Sequence, residues 1–183
     1  MSGGHDGAVR LWEVTSGRPL ASLHGHIGGV LDAALSGDGR LAASGGEDGT
    51  VRLWEAVSGR LLATLRGHNG AVFCVALAAD GQLAASSGMD GTVRLWRVPD
   101  GLPLQCVQAH TGAIWAMGLS ADGKRVACGA RDGTVGVWDT HSGALVRALR
   151  PDRPYERMDI TGLSGVTEAQ KLALRALGAV EQS

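Results

Sequence analysis

Ser44, His26 and Asp48 have the composition of a nucleophilic triad: a hydroxyl, an imidazole to take its proton, and a carboxylate to orient the imidazole. A hydrolase could be built on such a set. The same types recur, however, as Ser86, His68 and Asp90, each time with a tryptophan at the same offset, Trp54 and Trp96. A catalytic triad is built once, in one pocket, whereas a set that repeats with the chain is a framework device. A second candidate, the metal pair His24-Gly25-His26, shares His26 with the repeated set and has no cysteine or carboxylate cluster at ligand spacing. Gly45-Gly46 and Gly28-Gly29 precede no helical segment, and no Walker-type run occurs, so no phosphate cradle is expected. The expectation is a protein without catalytic residues, metal or cofactor.

The elements that position these residues follow from the spacing. Asp48-Gly49-Thr50-Val51-Arg52-Leu53-Trp54 recurs around Trp12, Trp96 and Trp138, at an interval of 42 residues throughout. Asp-Gly signals a tight turn, because glycine reaches positive φ without steric cost. The Val-x-Leu-Trp that follows is β-branched and aromatic, which suits a strand. Each complete unit offers four short strands, in the second case 71–77, 82–86, 92–98 and 104–108. Helical periodicity does not survive the Asp-Gly breaks. The partial unit 1–24 lacks its opening strand, and complete units span 25–66, 67–108 and 109–150.

Gly-His at 25–26 and 67–68, Ala-His at 109–110, and the Asp-Gly-Thr-Val-Arg-Leu-Trp stretches resemble WD repeats of β-propellers over residues 1–150. The resemblance implies an all-β propeller segment of about four blades, the first incomplete. In it one repeat supplies the outer strand of one blade and three inner strands of the next. It also implies buried tetrads: His26, Ser44, Asp48 and Trp54, then His68, Ser86, Asp90 and Trp96. A looser set has Cys128 at the serine position beside His110, Asp132 and Trp138. The first unit keeps Ser2, Asp6 and Trp12 but has no histidine upstream.

Recognition is expected where the repeats disagree. One column, before each Asp-Gly, reads His5, Glu47, Met89, Arg131; a second, in the first strand, reads Leu31, Phe73, Trp115. A third, after the histidine, reads Ile27, Asn69, Thr111. By the resemblance these columns crowd the rim of the narrow propeller face, and aromatics beside Arg and Met have the composition of a protein-binding anchor. The alternative is that Phe73 and Trp115 fill gaps between blades.

The totals agree. A net charge of −1 over 183 residues argues against nucleic acid or an anionic membrane as partner. Three cysteines without CxxC spacing favour a reducing compartment, by default the cytoplasm. Residues 151–183 form a tail: an extended stretch at 155–163 and a helix over about 167–180 with an approximate capping box at Thr167 and Gln170. Ala169, Leu172, Ala173, Ala176, Leu177 and Val180 would form its apolar stripe, a packed or docking surface. Gly162-Leu163-Ser164 echoes Gly118-Leu119-Ser120, so 158–164 is a candidate for the missing strand. The tail resembles those of long bacterial WD-repeat proteins with an N-terminal signalling ATPase domain. The function expected is a non-catalytic scaffold for protein partners. A sensor fragment of such an ATPase and a Ser-His-Asp hydrolase are the alternatives. Bare end blades would favour self-association to complete a ring.

Overall fold

Wherever the repeat offers an apolar run between two turn signals, the chain forms a strand. The computed structural model describes residues 1–150, 167–176 and 179, and the chain divides into two units, Met1–Leu149 and Arg150–Ser183. In the first unit β1 (Ser2–Gly3), β2 (Ala8–Trp12) and β3 (Pro19–His24) make a three-stranded sheet. Three four-stranded sheets follow. The second is β4 (Val30–Leu35), β5 (Leu41–Gly46), β6 (Val51–Glu55) and β7 (Arg60–Leu65). The third is β8 (Val72–Leu77), β9 (Leu83–Gly88), β10 (Thr92–Arg97) and β11 (Pro103–Gln108). The fourth is β12 (Ile114–Leu119), β13 (Arg125–Ala130), β14 (Val135–Asp139) and β15 (Leu145–Leu149). Each is an antiparallel meander, and the Asp-Gly turns take the expected positive φ, 71° at Gly49 and 70° at Gly91. This is the expected all-β propeller segment. Strand β9 runs on to Gly88 rather than ending at Ser86. Pairing of Ser87 with Val93 and Gly88 with Val72 carries two residues of low strand preference.

The sheets stack through three apolar layers. Val9, Leu11 and Leu23 of the first sheet meet Val30, Ala42 and Trp54 of the second. Val51, Leu53 and Leu65 of the second meet Val72, Val75 and Trp96 of the third. Val93 and Leu95 of the third meet Ile114, Val126 and Trp138 of the fourth. One repeat position therefore supplies the same contact three times. In the first and fourth sheets the same positions are more open: Trp12 is 40% exposed where Trp54 and Trp96 are 2%, and Leu149 is 44% exposed where Leu65 is 3%.

Each innermost strand carries a bulge. Val30 and Asp32 pair with the adjacent residues Gly46 and Gly45, which leaves Leu31 as the extra residue. Phe73 and Trp115 are extra in the same way. A bulge re-aims its extra side chain without disturbing the ladder on either side. Asp32, just past the bulge, accepts the Val75 N–H of the next innermost strand at 2.8 Å and so ties two sheets together.

The second unit contributes one described helix, α1 (Glu168–Ala176). Thr167 caps it: Gln170 N–H donates to Thr167 Oγ1 at 3.3 Å, and Gln170 Oε1 accepts Thr167 N–H at 2.8 Å. The helix is shorter than the expected 167–180. Ala179 N–H turns back to the Leu174 carbonyl at 3.0 Å. Of the expected stripe, Ala169, Leu172, Ala173 and Ala176 are exposed. Leu177, Val180 and the segments expected at 155–163 and 158–164 lie outside the described residues. Among the described residues, no helix is long and apolar enough to cross a membrane.

Candidate functional site

In the second sheet, Ser44, His26, Asp48 and Trp54 form one hydrogen-bonded line. Trp54 Nε1–H donates to Ser44 Oγ at 2.9 Å, and Ser44 Oγ lies 2.8 Å from His26 Nε2. His26 Nδ1 is 3.0 Å from Asp48 Oδ1. Indole N–H can only donate, so the serine hydroxyl accepts from Trp54 and gives its own proton to His26 Nε2. That assigns the proton of the neutral ring to Nδ1, facing Asp48. Asp48 also accepts Ile27 N–H at 3.1 Å, Thr50 N–H at 3.0 Å and the Thr50 hydroxyl at 2.7 Å. The third sheet repeats the line through Trp96, Ser86, His68 and Asp90, at 2.8, 2.8 and 3.1 Å.

Electrostatics follow from this geometry. Burial raises the Asp48 carboxyl, but the hydrogen bonds from Ile27, Thr50 and His26 outweigh it and bring it down to about 2. Asp90 also falls to about 2, where burial is opposed by Asn69, Thr92 and His68. Burial pushes the His68 ring down, opposed by Asp90 and helped by Arg94.

The connectivity is that of a Ser-His-Asp triad, yet Ser44 and Ser86 are fully buried and each hydroxyl already holds an indole N–H. An acyl carbon has no approach to either oxygen. Among the described residues, no group of three or more His, Cys, Asp and Glu is arranged to hold a metal.

The fourth sheet departs. His110 Nε2 meets the Cys128 backbone carbonyl at 3.3 Å instead of a hydroxyl, and Nδ1 meets Thr134 Oγ1 at 3.2 Å. Asp132 bonds Thr134 but, among the described residues, neither His110 nor Thr111. Trp138 lies against Gly136, edge-on to His110 with centroids 5.8 Å apart. Burial pushes the Cys128 thiol up to about 12, with Cys74 adding to it, so it is an inert thiol. In the first sheet Trp12 Nε1–H still donates to Ser2 Oγ at 3.0 Å, but in the open, while Asp6 pairs with Arg10.

The variable columns lie at one end of the strands, because Val30 pairs with Gly46 and Val51 with Leu65. His5 and Glu47 approach to 3.9 Å. Phe73 and Trp115 stack face to face, centroids 4.5 Å apart and planes at 11°. Phe73, on β8 of the third sheet, is half-buried, and Trp115, on β12 of the fourth, is 59% exposed, so the stack bridges two innermost strands with the indole open to solvent. Leu31, Met89, Arg131, Ile27, Asn69 and Thr111 are exposed, and Met89 covers Gly70.

Sequence reasoning missed three participants. Thr50 and Thr92 complete the Asp clusters; their signal was the Asp-Gly-Thr triplet, read only as a turn. Arg52 and Arg94 lie over Gly25 and Gly67, where a Cβ would meet the guanidinium at 2.6 and 2.7 Å. Their signal was joint loss: the fourth unit has Ala109 for the glycine and Gly136 for the arginine. The bulges left no signal, since only the pairing partner defines an extra residue.

A family model described as WD domain, G-beta repeat matches residues 17–55, 59–97 and 101–139. Each match begins at or before the outermost strand of one sheet and ends with the third strand of the next. No curated protein matches the chain significantly.

Two outcomes follow from the hydrogen-bonded lines. Ser44→Ala strands His26 Nε2 and Trp54 Nε1 together and is expected to cost about 2–4 kcal/mol in urea unfolding. Cys128→Ala orphans no such pair and should cost about half that or less. Equal losses would show that the Ser44 hydroxyl holds no more than a buried thiol does. The second outcome concerns pH. The Asp48 and Asp90 carboxyls sit below their ordinary 3.8, so the stability they contribute is complete above that value and drains as pH falls towards 2. His68 is likewise pushed below 6.5, so its protonation opposes folding from there downward. The Tm should hold at neutral pH, decline below about 6.5 and fall more steeply below about 4. Asp90→Asn should make the lower stage shallower; a Tm unchanged down to pH 3 would contradict this assignment.

Proposed function

Because the chain belongs to the WD-repeat family, we propose that it is a non-catalytic scaffold whose exposed variable columns bind a protein partner. One observation carries the reading. In the second and third sheets the repeated residues are bonded to one another in the interior, while half-buried Phe73 and exposed Trp115, at the bulge position, form an aromatic stack whose indole presents itself to solvent. An exposed indole held rigid by stacking loses little conformational freedom on binding, which makes it an efficient anchor. Leu31, Met89, His5, Glu47 and Arg131 supply apolar and charged contacts at the same end of the strands. The reading includes residence in the cytoplasm, whose reducing conditions suit the three free thiols Cys74, Cys106 and Cys128.

The bare ends favour a second interaction, between copies of the chain. Trp12 on the first sheet and Leu149 with Val135 on the fourth occupy repeat positions that are buried in the internal layers. A head-to-tail contact of one copy's fourth sheet with another's first would reuse that layer, and two such contacts would close a ring.

Peptides selected from a display library against the full chain test the first reading. Trp115→Ala should weaken the selected binders about 30-fold or more with little change in Tm. Loss of stability without loss of binding would refute it, as would binders insensitive to Trp115. Light scattering tests the second: the mass should rise above that of one 18.8 kDa chain with concentration, and Leu149→Glu should abolish the rise. A single-chain mass at every concentration would exclude it.

A further inference from the structure

The repeats act as controls for one another, and one loop is filled in one copy and open in another. In the second sheet the loop after His26 is held by two carboxylates. Ile27 N–H donates to Asp48 Oδ2 at 3.1 Å and Gly29 N–H donates to Glu47 Oε2 at 2.8 Å. Glu47 N–H closes the loop by donating to the Gly29 carbonyl at 3.0 Å. The third sheet keeps the Asp bond, Asn69 N–H to Asp90 at 2.9 Å, and the closing bond, Met89 N–H to the Ala71 carbonyl at 2.9 Å. There Met89 lies over Gly70 where Glu47 would reach.

The fourth sheet keeps neither. Arg131 stands where Glu47 stands and has no oxygen to offer the Ala113 N–H. Among the described residues, Thr111 N–H makes no bond to Asp132, and Arg131 N–H makes none to the Ala113 carbonyl. Between this loop and the turn lies an open cleft of about 330 Å³, lined by His110, Thr111, Gly112, Ala130, Arg131 and Asp132.

We infer that this cleft binds a carboxylate supplied by the partner, taking the Thr111 N–H together with the Arg131 guanidinium. The inference rests on the binding reading above and names the chemistry of the group bound. The occupied loop in the second sheet shows what this backbone accepts. The charge count points the same way. Around the second-sheet loop stand two carboxylates, Glu47 and Asp48, and one arginine, Arg52, 3.9 Å from Asp48. Around the fourth-sheet loop stand one carboxylate, Asp132, and one arginine, Arg131, with Gly136 replacing Arg52. One added carboxylate would give this loop the two carboxylates and one arginine found at the second-sheet loop. An acidic side chain and a chain-terminal carboxylate share this chemistry.

The test uses ¹⁵N-labelled full chain and small probes, so no protein partner is needed. N-acetylglutamate N-methylamide carries a side-chain carboxylate, N-acetylalanine a terminal one, and N-acetylglutamine N-methylamide none. At least one carboxylate should shift the Thr111 amide resonance saturably while the glutamine probe does not; the carboxylate that saturates identifies the source. Arg131→Glu, which places the second-sheet side chain in the cleft, should weaken that binding about tenfold or more with the Tm preserved. Saturation by neither carboxylate, equal shifts with the glutamine probe, or unchanged affinity in Arg131→Glu overturns the inference. Failure here leaves the Trp115 anchor standing, because the probes do not involve it.

Discussion

The hydrogen-bonded line from indole to carboxylate runs in only one direction, and that constraint governs the rest of the structure. Trp54 can only donate and Asp48 can only accept, so Ser44 and His26 must each pass a proton along the same way. All four groups are then satisfied without water, which allows Ser44 and His26 to be buried between apolar layers. The line crosses its sheet from β6 through β5 to the loop before β4, fixing loop against strands as the apolar layers fix sheet against sheet.

What happens when one member changes shows how tightly the set is coupled. A thiol at position 128 is a weak hydrogen-bonding group, so the indole of Trp138 gains little by staying there. It lies instead against residue 136, where any side chain would collide with it, and that residue is glycine. Without an arginine at 136 there is no guanidinium to lie over position 109, and a half-buried alanine stands there instead of glycine. Three substitutions that look independent along the chain are one repacking event.

Much of this was legible in advance because repetition is itself information. The interval of 42 residues marks the strands, and recurrence of serine, histidine and aspartate separates framework from catalysis before any geometry is known. Other features were hidden for physical reasons. A bulge exists only relative to the strand opposite, so Leu31, Phe73 and Trp115 read as ordinary strand residues. The sheet-to-sheet bond from Val75 N–H to Asp32 spans 43 positions and leaves no periodic mark.

The relaxed framework of the fourth sheet and its open cleft are two aspects of one change. Where Asp48 and Asp90 grip both the histidine and the following N–H, the loop is drawn onto the turn, and the residue before the aspartate covers it. Where Asp132 holds only Thr134 among the described residues, that grip is absent, and exposed Thr111 lines an open cleft beside Arg131. The cost of loosening stays local, because Val126, Cys128 and Ile114 remain buried in the layer beneath. A repeat architecture tolerates this well, since each sheet is secured mainly by its neighbours, and one copy can give up internal bonds while the stack persists. Variation at the rim and variation in the framework are therefore linked in the fourth sheet, where the relaxed set and the open cleft share His110 and Asp132.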